Sequence, residues 1–225
     1  MSLVLEAGGH RLLLERPDNL EDDGYQARGG GDAKPYWAFL WASAHALARA
    51  ILEGPDLSGR RIIEIGAGLG LSGLAAAMRG AHVVSTDIRP EAVRLVAENA
   101  ARNGLTVDAR VVDFFAPPAD LGLYDGVLAA DVIYNDGMLA GVMRFMRAHL
   151  APGGLGCLTD PYRIMPVGVQ GAARINGLEV AAQPLASPGP PVLMYVLQRR
   201  PSALMVADPG SGAAEAPVPA RRGRR

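Results

Sequence analysis

The chain has a single cysteine, Cys157, among 225 residues, so no disulfide can close within it, and no apolar run is long enough to span a bilayer. It also lacks an excess of either charge: 22 Lys and Arg face 23 Asp and Glu, a net charge of −1. Phosphate affinity is built from accumulated cations, so this balance argues against nucleic acid as a partner, and no membrane association is expected. The histidines His10, His45, His82 and His149 are scattered without ligand spacing, so no metal site is expected. A basic segment followed by an apolar stretch is missing from the N-terminus, which together with the cysteine usage points to a cytoplasmic address. Cys157, in GGLGCLTD, reads as a small buried apolar residue and not as a nucleophile.

What the chain does have is apolar residues, 49% of the total, and 28 glycines. That supports a sizeable core in one main domain. LVLE and RLLLE alternate around Gly8-Gly9 and predict a small hairpin. Residues 17–35 are polar, glycine-rich and without period, which predicts a mobile loop. Between Tyr36 and Glu53 apolar residues recur with helical spacing until Gly54-Pro55, predicting one helix with Trp37 and Trp41 on one face. Core packing accounts for both tryptophans, and a pocket role is assigned to Trp41 alone.

Beyond Gly59 short apolar strands alternate with amphipathic helices. Strands are expected at 61–65, 82–86, 107–112, 124–130, 154–159, 178–183 and 192–198, and helices at 69–79, 90–103, 136–150 and 164–175. This predicts an α/β fold: a Rossmann-like, seven-stranded, mostly parallel sheet with helices on both faces. The last two strands have only PLASPGPP between them, so they are expected as an antiparallel hairpin at one edge. Residues 1–35 form the hairpin and loop, 36–200 the main domain, and 201–225, low in large apolar residues, a disordered tail.

The informative stretch is RIIEIGAGLGLSG, residues 61–73. Its Gly68, Gly70 and Gly73 fit the dinucleotide pattern GxGxxG, but the strand already ends at Gly66, so Gly66, Gly68 and Gly70 form the turn and Gly73 falls inside the helix. Twenty-one residues after Gly66 comes Asp87, at a strand end, where a carboxylate accepts ribose hydroxyls. That identifies a nucleoside and not a reaction. Glu64 discriminates: beside the pyrophosphate of NAD it is repulsive, whereas the ammonium and sulfonium of S-adenosylmethionine (SAM) favour a nearby anion. Asp113 and Phe114, at the next strand end, suit an adenine amino group and ring. The bland alternatives are that Glu64 is a paired core acid, Asp87 a helix cap and Asp113 a turn residue.

Over residues 36–200 the sequence resembles the class I SAM-dependent methyltransferases. PYWAFLWASAHALARAIL, residues 35–52, is similar to the tryptophan-bearing helix of the seven-β-strand protein lysine methyltransferases, and Asp131-Val132-Ile133-Tyr134 to their acid-x-x-aromatic motif after strand four. The Asp160-Pro161 pair resembles the branch that includes the lysine methyltransferase of the electron transfer flavoprotein β subunit; where that branch continues with Gly and Arg, this chain has Tyr162 and Arg163. The resemblance implies that Trp41, Gly66, Asp87, Asp113, Phe114 and Ala130 line a SAM pocket and that Asp131 and Tyr134 face an acceptor amine. It implies a monomeric enzyme that methylates lysine side chains of a protein substrate. A small amine or heteroaromatic nitrogen such as nicotinamide remains an alternative acceptor, and a non-catalytic SAM-binding module or an NAD-dependent oxidoreductase remain alternatives to the activity. Asp131 can also be read as a cap of the following helix.

Overall fold

The computed structural model describes residues 1–17, 35–134 and 136–200. The mobile loop expected over 17–35, apart from its two end residues, and the tail expected at 201–225 lie outside the described residues.

The N-terminal strands β1 (Ser2–Ala7) and β2 (His10–Glu15) pair antiparallel through Gly8 and Gly9, both at positive φ, the conformation a two-residue hairpin turn requires. Alternation puts Leu5, Ala7, Leu12 and Leu14 inward. They pack on three helices, α1 (Ala42–Glu53), α2 (Leu71–Met78) and α3 (Pro90–Arg102). The backbone of β2 is completed by side-chain amides of α3 and of the residue that follows it. Asn99 Oδ1 accepts the Glu15 N–H at 2.8 Å, and its Nδ2 donates to the carbonyls of Glu15 and Leu69. One turn on, Asn103 exchanges the same pair of bonds with Leu13.

The main sheet runs β5-β4-β3-β6-β7-β9-β8, with β3 (Arg61–Ile65), β4 (His82–Asp87), β5 (Val107–Val111), β6 (Tyr124–Ala130), β7 (Leu150–Asp160), β8 (Leu178–Leu185) and β9 (Val192–Arg199). Pairing is parallel from β5 to β7, and β9 runs antiparallel to both its neighbours. Strand periodicity divides the core. Ile62, Leu128 and Met194 face Leu47 of α1 and Ala76 of α2, while Ile63, Val127 and Leu158 face α4 (Asp136–His149) and α5 (Pro166–Ile175). The expected seven-strand sheet, edge hairpin and two helical layers are therefore present. Strand order reverses between β3 and β6, and the crevice beyond their C-terminal ends is where such sheets bind ligands.

Two expectations need correction. The helix expected from Tyr36 is broken: Tyr36–Ala38 form one 3₁₀ turn, Phe39 and Trp41 are extended, and α1 starts at Ala42. A local contact competes with the helix there: Trp41 Nε1 donates to the Tyr36 carbonyl at 3.0 Å and its ring packs against those of Tyr36 and Phe39. Trp37 and Trp41 thus do not share a helical face. Strand β7 also begins at Leu150 instead of 154, beside a register shift in β6 between Tyr124 and Gly126.

Asn99 is fully buried, so Asn99→Ala strands the main-chain groups of Glu15 and Leu69. A loss of about 2–3 kcal/mol in urea unfolding is expected, against less than about 1 kcal/mol for Asn103→Ala at the exposed end. Equal losses would show that the buried amide has no special weight.

Candidate active site

The turn after β3 is shaped by close approach. Gly66 and Gly68 have φ of 61° and 53°. A Cβ on Gly66 would stand 2.6 Å from Val132 Cγ1, and one on Gly68 would stand 2.8 Å from the Trp37 carbonyl oxygen. Only glycine meets both conditions. The turn is pinned to β4 by the Ala67 N–H on the Thr86 carbonyl, and Gly70 closes it as the N-cap of α2.

Glu64 is buried at the end of β3. Its Oε2 accepts the Ser85 hydroxyl at 2.8 Å, and the main-chain N–H groups of Ser72 and Gly73, in the first turn of α2, also donate to it. Gly73 leaves the room for this: a Cβ there would lie 2.5 Å from Glu64 Oε2 and 2.3 Å from Ser85 Oγ. Burial raises the Glu64 carboxyl to about 7, against the pull of these donors, and the neighbouring Asp87 adds to the rise. Glu64 is thus a hydrogen-bonded core acid that also borders the crevice.

Asp87, at the end of β4, joins two loops. Its Oδ2 accepts the Gly68 N–H and its Oδ1 the Arg89 N–H, both at 2.9 Å. Burial raises its pKa, opposed by the N–H groups of Arg89, Gly68 and Ile88. Asp113, beyond β5, accepts the Phe115 N–H at 2.8 Å, and the rings of Phe114 and Phe115 stack with centroids 4.7 Å apart. Asp87 does not cap α3, whose N-cap is Arg89 with no side-chain bond, whereas the turn role of Asp113 is real, and each carboxylate keeps lone pairs for further donors.

Ala130 ends β6, and Asp131 follows at φ 60° with its side chain 3% exposed. Its Oδ2 accepts the Ser43 N–H in the first turn of α1 at 3.3 Å, and its Oδ1 is bound by the Arg163 guanidinium. Arg163 is tied as well to Asp160, through its main-chain N–H at 2.6 Å and its Nε at 3.3 Å. Tyr134 is exposed and lines the same crevice.

These residues surround one cavity of about 730 Å³, inside the usual range of small-molecule clefts, roughly 300–1,000 Å³. Every residue assigned from the sequence to cofactor or acceptor borders it except Gly70, whose positive φ serves the turn and whose side faces Val96. Ser85, Ser43 and the role of Arg163 were not anticipated. A serine inside the apolar strand HVVSTD was the available signal for the first; nothing local marked the others. The carboxylates and the backbone cradle fit a cationic nucleoside such as SAM.

Residues 62–154 match the family described as a methyltransferase domain. The chain is 34% identical over 115 residues to the electron transfer flavoprotein β subunit lysine methyltransferase of Danio rerio, covering 50% of this chain and 44% of that protein. It is 33% identical over 99 residues to the ubiquinone biosynthesis O-methyltransferase of Methylocella silvestris, covering 44% and 39%. The chain therefore spans less than half the length of these curated relatives. Among solved structures, the T. thermophilus 16S rRNA N2 G1207 methyltransferase in complex with AdoMet and guanosine superposes with a TM-score of 0.64 at 17% identity, over 89% of this chain and 50% of that one. Domain match, strand order and glycine turn together make this chain similar to the SAM-dependent methyltransferases, with the methyltransferase-domain match lying over residues 62–154.

Proposed function

We propose that the protein transfers a methyl group from SAM to the side-chain amine of a lysine in another protein. The observation that carries this reading is the division of one cavity: Glu64, Asp87 and Asp113 stand at three successive strand ends on one side, and Asp131 and Tyr134 at the fourth. SAM, when bound, supplies a methyl group activated by its sulfonium. The chain's own part is to position, exclude water and balance charge. A lysine arrives protonated and must lose that proton to solvent before its nitrogen attacks. Asp131 holds and steers the cation, and the Tyr134 ring offers it an aromatic face. The lysine methyltransferase likeness supports a protein acceptor.

Labelled SAM incubated with the protein and a cell lysate tests the acceptor. Methyl-lysine in hydrolysed protein is the expected product, whereas label confined to small molecules supports a small amine, and SAM binding without label supports a non-catalytic module. Lys34 is the chain's only lysine, so Lys34→Arg removes side-chain self-labelling as a confounder.

Asp87→Ala should weaken SAM binding at least about 100-fold by calorimetry, since it removes both a ligand contact and the Gly68 anchor. Asp131→Asn should leave SAM affinity within about threefold and lower transfer about 100-fold. Full activity in that variant would remove Asp131 from the acceptor side.

Glu64 generates a pH signature. Its folded pKa of about 7 lies above the ordinary 4.5, so the folded state holds the extra proton and stability without ligand falls as pH rises between these values. A cationic ligand prefers the ionised acid, so SAM affinity should rise with pH up to about 7 and level above it, with proton release on binding below that pH. Glu64→Gln should flatten this profile; an unchanged profile would assign it to another group.

A further inference from the structure

Asp131 and Asp160 stand at the ends of the adjacent parallel strands β6 and β7, and both side chains are 3% exposed. One guanidinium, Arg163, serves both, and it is the more exposed partner at 36%. Its attachments are unequal. The main-chain N–H and Nε hold Asp160, while only a terminal nitrogen, Nη2, reaches Asp131. Rotation of the outer side chain therefore frees Asp131 and leaves the main-chain bond to Asp160 in place. Asp131 is also the acid that borders the cavity together with Tyr134.

Resting on the methyl-transfer reading above, we propose that Arg163 is a resident cation in the acceptor seat and that the incoming lysine ammonium displaces its Nη2 group from Asp131. The Ser43 N–H on Oδ2 is neutral, and a buried carboxylate without a countercharge is costly, so the seat is filled by one cation or the other. An ammonium is a compact donor on a long stem and takes the place of the guanidinium without opening the strand ends. Arg163 is then a specificity-determining residue. It lowers the apparent affinity for any amine by the cost of its own displacement, which selects acceptors held by further contacts.

The probe is n-butylammonium chloride, a lysine side-chain mimic, added to the full chain against sodium chloride of equal ionic strength. In wild-type protein carrying ¹⁵N-arginine, the Arg163 Nε resonance, assigned by its loss in Arg163→Lys, should move on addition of the amine. It should stay still in Asp131→Asn. Arg163→Met should bind the amine about tenfold more tightly, and Asp131→Asn in that background should cancel the gain. A stationary Arg163 resonance at amine concentrations up to roughly 100 mM overturns the proposal, as does equal or weaker binding by Arg163→Met. Should Arg163→Met fail to fold, the wild-type resonance decides alone. SAM calorimetry on the same samples separates the two readings: SAM binding with a stationary Arg163 rejects only the displacement, and absence of SAM binding rejects the parent reading.

Discussion

The buried carboxylate of Glu64 is the constraint on which the rest of the cofactor side depends. It sits opposite Ser85 in the β3–β4 register and receives that residue's hydroxyl. The same carboxylate meets the first N–H groups of α2, where the helix has donors but no intrahelical acceptors. One acid thereby fixes strand pairing, turn and helix start together. Gly73 is explained by this contact and not by a bound pyrophosphate, since its missing Cβ is the space the acid occupies.

The turn is held from outside as well. Asn99 links the hairpin backbone at Glu15 to the carbonyl of Leu69, which borders the cavity. On the other flank, the Trp37 carbonyl presses over Gly68. The N-terminal hairpin and the aromatic segment before α1 are thus joined to the same few residues of the turn. Asp87 completes the enclosure by bonding Gly68 from β4.

Most of the fold was legible because it is written in local periodicity: Ile62 and Ile63 face opposite layers, as alternation requires, and α3 begins at Pro90 as its end signals indicate. The break before α1 was not legible. Its apolar spacing is helical, and only the Trp41 indole reaching the Tyr36 carbonyl shows what competes with the helix before Ala42. The residues that line the cavity were readable where each stands at or just past the end of its own strand, as Asp87 and Asp131 do. Arg163 was not, because its meaning lies in the adjacency of β6 and β7, which brings together residues 32 apart in the chain.

The two sides of the cavity handle negative charge differently. Glu64, Asp87 and Asp113 are held by neutral donors, hydroxyl and main-chain N–H, which orient a carboxylate without cancelling its charge. Asp131 is held by a full cation. A cationic ligand can therefore enter the first side with no exchange of partners, while the second must surrender one cation to accept another.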